Sequence, residues 1–488
     1  MTGAVRRFWP PGRAGYALLA LLLIGVGLRL VVAVSWWPVT TTLADSWPYA
    51  QYAGSGPFEN PQHPAGYSLL LAVFGALTRE VVFPVFLQHL AGIATALLLF
   101  AAVRRITGSA WAGLVPAAAV LLNPDLIYLE HSIMSEPWFV LACAGAVYAA
   151  VRAFDRPDPL YGWPLLAGAL GGAGAVLRSS GLFLIAVIVL ALLLARGRPR
   201  ASWRPAAAAA GAAVALLLAF ATANAIIADR FGLGPSPGWY LYGRVAQFAD
   251  CSQFVPPAGT AFLCEWTDPD DRPGANYYLF DPDAPVPRRF GEFGSKDDLL
   301  RLWSQRAILA QPTDYLETVW EDLRAYWVPS LHLREFGGGG LDPQLDYTRA
   351  INEADRYYTE IQPVTESGME LFFNDFSVDK DRFGLEFMRG WQHLTRFGGL
   401  ALSIATLLTG LGLLIGVRRS RLGVLLFGIG GLSLLIAPAL TGNYVGRYTV
   451  PMTGLMAAAS AVALTAIVRA ERARRREASA LPTPEPTA

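Results

Sequence analysis

The sequence predicts an all-α polytopic membrane protein with about ten transmembrane helices and a mixed domain on the extracytoplasmic side. Three observations predict it. Of the 488 residues, 53% are hydrophobic and only 16% are charged. The apolar residues come in blocks of about 15–23, close to the roughly 20 that cross a hydrocarbon core. Arginines cluster at every second block boundary, which fixes an even number of crossings.

The blocks lie near 15–35, 83–103, 110–128, 136–152, 162–177, 181–195, 206–227, 397–417, 422–440 and 448–468. The two shortest, 162–177 and 181–195, also read as one kinked pair. Arg6, Arg7 and Arg13 precede the first block. That block is longer than a signal-peptide core and lacks a clear small-residue cleavage site, so it reads as an uncleaved span. With the N-terminus inside, four clusters fall on the cytoplasmic side: Arg104 and Arg105, Arg152 and Arg156, Arg196 to Arg204, and Arg418 to Arg421. Arg469 to Arg476 join them, which places both termini in the cytoplasm and the chain in the cell membrane. The short outside loops carry Arg79, Arg178 and Arg447.

This division gives an N-terminal membrane module at 1–228, whose first outside loop spans 37–82. An extracytoplasmic domain follows at 229–396, then C-terminal spans at 397–468 and a disordered cytoplasmic tail at 469–488. In the first loop, ADSWPYAQYA reads as a short helix. HPAGYSLLLAVFGALT is apolar but too short to cross, so it reads as an interfacial segment. The 229–396 stretch is rich in Pro, Gly, Asp and aromatic residues, has helical patterns near 295–328 and 346–362, and is long enough for a small domain.

Composition narrows the partners. A net charge of +1 supplies no basic surface for a phosphate backbone, so no nucleic-acid partner is expected. Cys143 lies in a span and reads as an inert apolar filler. Cys251 and Cys264 share the outside domain, where an oxidising compartment predicts a disulfide. No paired C-x-x-C or H-E-x-x-H occurs. No cofactor is called for, and a divalent metal is left open.

Polar groups at the outer membrane surface carry the chemistry, because ionisable residues near lipid are costly to keep. Asp45 and His63 lie in the first outside loop, near Tyr67. Glu130, His131 and Glu136 lie in LNPDLIYLEHSIMSEP. Arg178 stands at an outer span end, and Tyr444, Arg447 and Tyr448 stand in NYVGRYTVPM. A carboxylate can take a proton from an attacking hydroxyl, and a guanidinium can hold a phosphate as it leaves. Each has a structural reading beside this one. Asp45 suits the N-cap of a helix starting at Ser46–Pro48. Glu136 suits a helix first turn. Arg178 and Arg447 suit snorkelling at span ends.

Together, ADSWPYAQYA, HPAGYSLLLA, SIMSEPWF, VLRSSGLFL and GRYTVPM resemble the GT-C superfamily of membrane glycosyltransferases. The branch is that of the protein mannosyltransferases and aminoarabinose transferases, which use polyprenyl-phosphate sugars. The pieces span 45–451 but leave out 229–396. The resemblance implies that Asp45 is the catalytic base and that Glu130 or Glu136 is the acid of the second outside loop. It implies that Arg178 and Arg447 contact the lipid phosphate, with His63, Tyr67, Tyr444 and Tyr448 beside the substrate. Many relatives carry two adjacent acids in the first loop, whereas Ser46 follows Asp45 here. The expected function is transfer of a sugar from a polyprenyl-phosphate donor to an extracytoplasmic acceptor, with inversion. A lipid-linked sugar flippase would instead need a polar path through the bundle, and the 422–440 span holds no charge. A non-catalytic envelope assembly protein would leave the outer acids and arginines without a role.

Overall fold

The structure, a computed structural model, describes residues 9–40, 43, 45–155, 161–195, 199–328, 345–348, 351 and 379–480. Helix α1 (Arg13–Ser35) leads through a two-residue strand, β1 (Trp36–Trp37), to two short helices, α2 (Ser46–Ser55) and α3 (Ala65–Leu77). Then come α4 (Val82–Thr107), α5 (Ala110–Leu121), α6 (Pro124–Glu130), α7 (Glu136–Asp155), α8 (Gly162–Leu177), α9 (Gly181–Leu194) and α10 (Pro199–Ala228). A segment of shorter helices follows: α11 (Pro237–Ala246), α12 (Ala275–Phe280), α13 (Pro285–Phe290), α14 (Asp297–Ala310) and α15 (Pro312–Ala325). Strand β2 (Asp379–Lys380) precedes α16 (Arg382–Thr395), α17 (Gly399–Ile415), the broken helix Arg418–Thr441 and α18 (Thr453–Ala480).

A helix stands at each of the ten expected spans, but not every one has the length of a crossing. Among the described residues, six helices are long and apolar enough to cross a membrane, or up to eight if each of two bent pairs is one span. One pair is α5 with α6, bent by 56°. The bend has a local cause: Asn123 accepts from the backbone N–H of Leu126 at 3.0 Å and Pro124 occupies the first turn, so a new helix starts there. The other is α16 with α17, bent by 40° where Gly398 and Gly399 interrupt the pattern. Helices α8 and α9, of 16 and 14 residues, are apolar but shorter than a crossing. Helix α18 continues past 468 through Arg469–Arg476 to Ala480. Residues 481–488 and most of the 346–362 pattern lie outside the described residues.

The bundle has two distinct ends. At one, the Arg419 guanidinium donates to the carbonyl of Arg105 at 2.9 Å, Arg418 donates to Leu194 at 2.6 Å, and Arg469 donates to Thr107. These bonds gather the basic ends of α4, α9, the 418–441 helix and α18. His89 sits 16 residues before Arg105 on α4, which a helical rise of 1.5 Å per residue turns into roughly 24 Å. The polar residues singled out above cluster near His89, at the other end.

The segment from α11 to α15 has its own apolar core around Trp239, Tyr242, Tyr278, Leu300 and Trp303. Asp297 accepts from the Trp239 N–H at 2.9 Å and ties α14 to α11. Cys251 and Cys264 are joined, with Cα atoms 5.7 Å apart. Cys143 is buried and unbonded. Replacing both bridged cysteines by serine is expected to lower the stability of this segment by about 3 kcal/mol, the loop-closure worth of a short bridge. Limited proteolysis of membranes checks this: cleavage should speed up within 229–328 while the helical bundle stays intact.

Candidate active site

The first loop is held in place before its acid is used. Trp36 and Trp37 pair with Lys380 and Asp379 as two antiparallel strands. Thr40 then bridges to Ser132, its N–H donating to the His131 carbonyl at 2.9 Å. The chain therefore reaches Asp45 already docked on the stretch that leads to Glu136. Asp45 occupies the N-cap position of α2 but its side chain makes no capping hydrogen bond. Its carboxylate turns instead to the guanidinium of Arg447, which arrives from the 3₁₀ turn Gly446–Thr449. The His63 Nε2 lies 3.6 Å from the other Asp45 oxygen.

Glu136 completes the cluster. It begins α7, is fully buried, and accepts from Arg178 at 2.8 Å. The Arg447 Nε lies 3.9 Å from the same oxygen. Arg178 also donates to the Ser135 hydroxyl at 3.2 Å and lies over the Tyr448 ring, 5.4 Å from its centroid. Two carboxylates and two guanidinia thus neutralise one another with His63 at the edge. Asp45 is the open member, with 22% of its side chain exposed against 7% for Arg447 and none for Glu136.

Burial alone would raise the pKa of Asp45. Arg447 first, then His63 and Arg178, more than reverse that and hold the carboxyl well below the usual carboxylate range. A depressed folded-state value has a definite sign: the pair's stabilisation is present above the unfolded pKa of about 3.8 and is lost only as pH falls through the lower folded value. The Asp45–Arg447 pair is therefore expected to stay charged through pH 5–9, and the pH profile of any activity that depends on it should show no acid limb from free Asp45 in that window.

The two candidate acids of the second outside loop are separated. Glu130 does not reach the cluster. It is buried between Arg29, whose Nη2 lies 2.7 Å from Oε1, and His89, whose Nδ1 lies 3.0 Å from Oε2. His89 Nε2 meets His131 Nδ1 at 3.2 Å, and His131 Nε2 donates to the Trp36 carbonyl at 2.5 Å. A Cβ at Gly92 would stand 1.8 Å from the Glu130 oxygen, so glycine is what lets the pair sit against α4. Tyr67 donates to Gln88 at 2.5 Å, and Gln88 donates to the carbonyls of Glu130 and Ser132 at 2.9 and 2.6 Å. This network braces the 131–135 stretch beside the cluster. Tyr444 faces elsewhere: it is buried against Tyr326, ring centroids 4.6 Å apart.

Three residues escaped the sequence reading, the first two of them at the site. Tyr49 stacks on His63 at 4.5 Å and shares a hydrogen bond with Ser135 at 3.1 Å. It lies one helical turn after Asp45, a spacing that puts both on one face. Tyr240, on α11, donates to the Gln62 carbonyl at 2.9 Å and lies close enough to Asp45, Tyr448 and Arg447 for their charges to bear on it. Nothing local in the sequence marks it. Arg29 was legible as a charge inside an apolar span.

Residues 62–223 match the family described as dolichyl-phosphate-mannose-protein mannosyltransferase. No curated protein matches the chain significantly. Among solved structures, the oligosaccharyltransferase AglB from Archaeoglobus fulgidus, in complex with an inhibitory peptide and a dolichol-phosphate, is similar at 15% identity and a TM-score of 0.41, covering 97% of this chain and 53% of that one. The protein O-mannosyltransferase Pmt1-Pmt2 complex of S. cerevisiae, bound to the sugar donor, is similar at 15% identity and a TM-score of 0.36, covering 45% of this chain and 35% of that one. ArnT from Cupriavidus metallidurans, in the apo state, is similar at 12% identity and a TM-score of 0.36, covering 97% and 82%. The chain thus spans about half the archaeal protein and about a third of the yeast one. Likenesses this distant carry no conclusion about chemistry. The family match covers His63, Tyr67, Glu136 and Arg178, with Asp45 and Arg447 on either side of it. That stretch, about a third of the chain, is thus similar to the dolichyl-phosphate-mannose-protein mannosyltransferase family.

Proposed function

We propose that this chain transfers a sugar from a polyprenyl-phosphate donor to an acceptor on the extracytoplasmic side of the cell membrane, in one inverting displacement. The observation that carries this reading is the convergence of Asp45, Glu136, Arg178 and Arg447, from four distant stretches, on one partly open site. The acceptor hydroxyl oxygen attacks the anomeric carbon and its proton passes to Asp45. The bond from that carbon to the phosphate oxygen breaks, and its electron pair leaves with polyprenyl phosphate, opposite Arg447 and Arg178. A carboxylate held low by Arg447 is a weak base. The donor phosphate is an anion that competes for Arg447, and drawing the guanidinium away returns basicity to Asp45. Glu136, rather than Glu130, is the second-loop acid of this site, and it positions both guanidinia.

A flippase would need a polar path through the bundle. The charges within the spans that come closest, Arg29 and Glu130, are 4% and 0% exposed and pair with one another, which favours a structural role for them. The test of the whole reading is incubation of the purified protein with a panel of radiolabelled polyprenyl-phosphate sugars and membrane extract. Label moving from lipid to a water-soluble or glycan fraction supports transfer, and no movement with any donor removes it. Arg447→Lys keeps the charge but loses the two-pronged contact. It is expected to weaken donor binding about tenfold, the worth of a lost charged hydrogen bond. Equilibrium binding of a labelled donor checks this.

A further inference from the structure

A cavity of about 580 Å³ opens on the α11–α15 segment beside the chain that leads into Arg447. Its volume falls within the range of ligand sites. Asn443 and Tyr444 form part of its wall, four and three residues before Arg447. Gln247 and Phe248, just past the end of α11, form another part, while Tyr240 on the same helix lies at the Asp45 site. Seven residues separate Tyr240 from Gln247, so these two positions stand roughly 10 Å apart along the chain of that helix. Tyr315 fixes this junction by donating to the Leu440 carbonyl at 2.9 Å, and Asn443 donates to Asn276 at 2.8 Å.

The lining states a chemistry. Among the described residues, Arg272 is the one basic side chain on the walls, and its guanidinium is spent on the carbonyls of Ala246, Ala249, Glu265 and Thr267. Acids such as Asp268, Glu317 and Glu321 outnumber it, so an anionic ligand would be repelled. The acids are spread out: among the described residues no group of three or more metal-ligating side chains comes together. Between them stand the amides of Gln247, Gln253 and Asn443, together with Trp266, which is 88% exposed at the wall. Carboxylates accept from hydroxyls, amides both donate and accept, and a bare indole offers a flat apolar face. We infer that this cavity is the acceptor subsite and that its ligand is a sugar chain without acidic groups, laid from Trp266 toward Asp45.

The inference rests on the proposed transfer reaction only for the word acceptor, since binding is measurable without donor. The probes are labelled neutral hexasaccharides derived from glucan, mannan and arabinan, with oligogalacturonate as the acidic arm. Each is titrated against the full chain in lipid nanodiscs. At least one neutral probe should bind, and oligogalacturonate should not. Trp266→Ala with Glu317→Lys, both exposed positions, should weaken that binding about tenfold or more, the loss of an aromatic anchor. Asp45→Asn should still bind. Failure of every neutral probe, preference for oligogalacturonate, or unchanged affinity in the double variant overturns the inference. Glycan binding in a protein that transfers no sugar would instead sink the transfer reading and leave the cavity's ligand class standing.

Discussion

Asp45→Asn is expected to abolish sugar transfer by roughly 10²–10⁴-fold, the usual worth of a general base, while the protein folds and inserts normally. The amide matches the carboxyl in size and would cap α2 as well as aspartate does, and Asp45 makes no cap in any case. What it removes is the proton acceptor and the negative partner of Arg447. Donor affinity should therefore hold or rise, because the guanidinium is no longer engaged by a protein carboxylate. Transfer rates in membranes with matched protein levels, with donor binding measured alongside, decide the point. Activity within a few-fold of wild type would take Asp45 out of the mechanism.

Arg29→Met is expected to destabilise the bundle by about 3–5 kcal/mol, the cost of leaving a buried charge without its partner. Arg29 donates to the carbonyls of Gly25 and Leu121 at 2.9 and 3.0 Å as well as to Glu130. Its loss unties α1 from α5 and α6 together. Adding Glu130→Leu removes the orphaned charge, and replacing a whole buried pair by apolar side chains is often neutral or better. The double variant should then recover most of the stability lost by the single one. Thermal unfolding in detergent, followed by size-exclusion of the surviving protein, checks both. A single variant as stable as wild type would show that the pair holds nothing together.

Much of this was legible because polar side chains stand out against apolar runs. Asp45, Glu136, Arg178 and Arg447 were found that way, and the structure brings them together. Choosing between Glu130 and Glu136 was beyond the sequence. The two lie six residues apart, and the turn at His131–Ser135 sends one into the bundle beside Arg29 and the other toward Arg178. Apolarity and helical geometry part company at two places. Asn123–Pro124 and Gly398–Gly399 bend the chain inside or beside runs that hydropathy alone reads as continuous. Tyr240 and the acidic cavity were invisible because they come from tertiary packing of short, mixed-polarity helices.

The ion pair between Asp45 and Arg447 joins positions 402 residues apart. A ribosome that has delivered the first-loop acid must therefore make all of the intervening chain before its counter-ion exists. Until then the nascent site has no phosphate-binding arginine on that side. Under the proposed mechanism, a half-made chain meets lipid-linked sugar in the same membrane with only Arg178 to hold the leaving phosphate. A product ending before Arg447 keeps Asp45 and Arg178 but lacks one of the two proposed phosphate contacts, so the full site waits on insertion of the spans that bring this arginine back to the first loop.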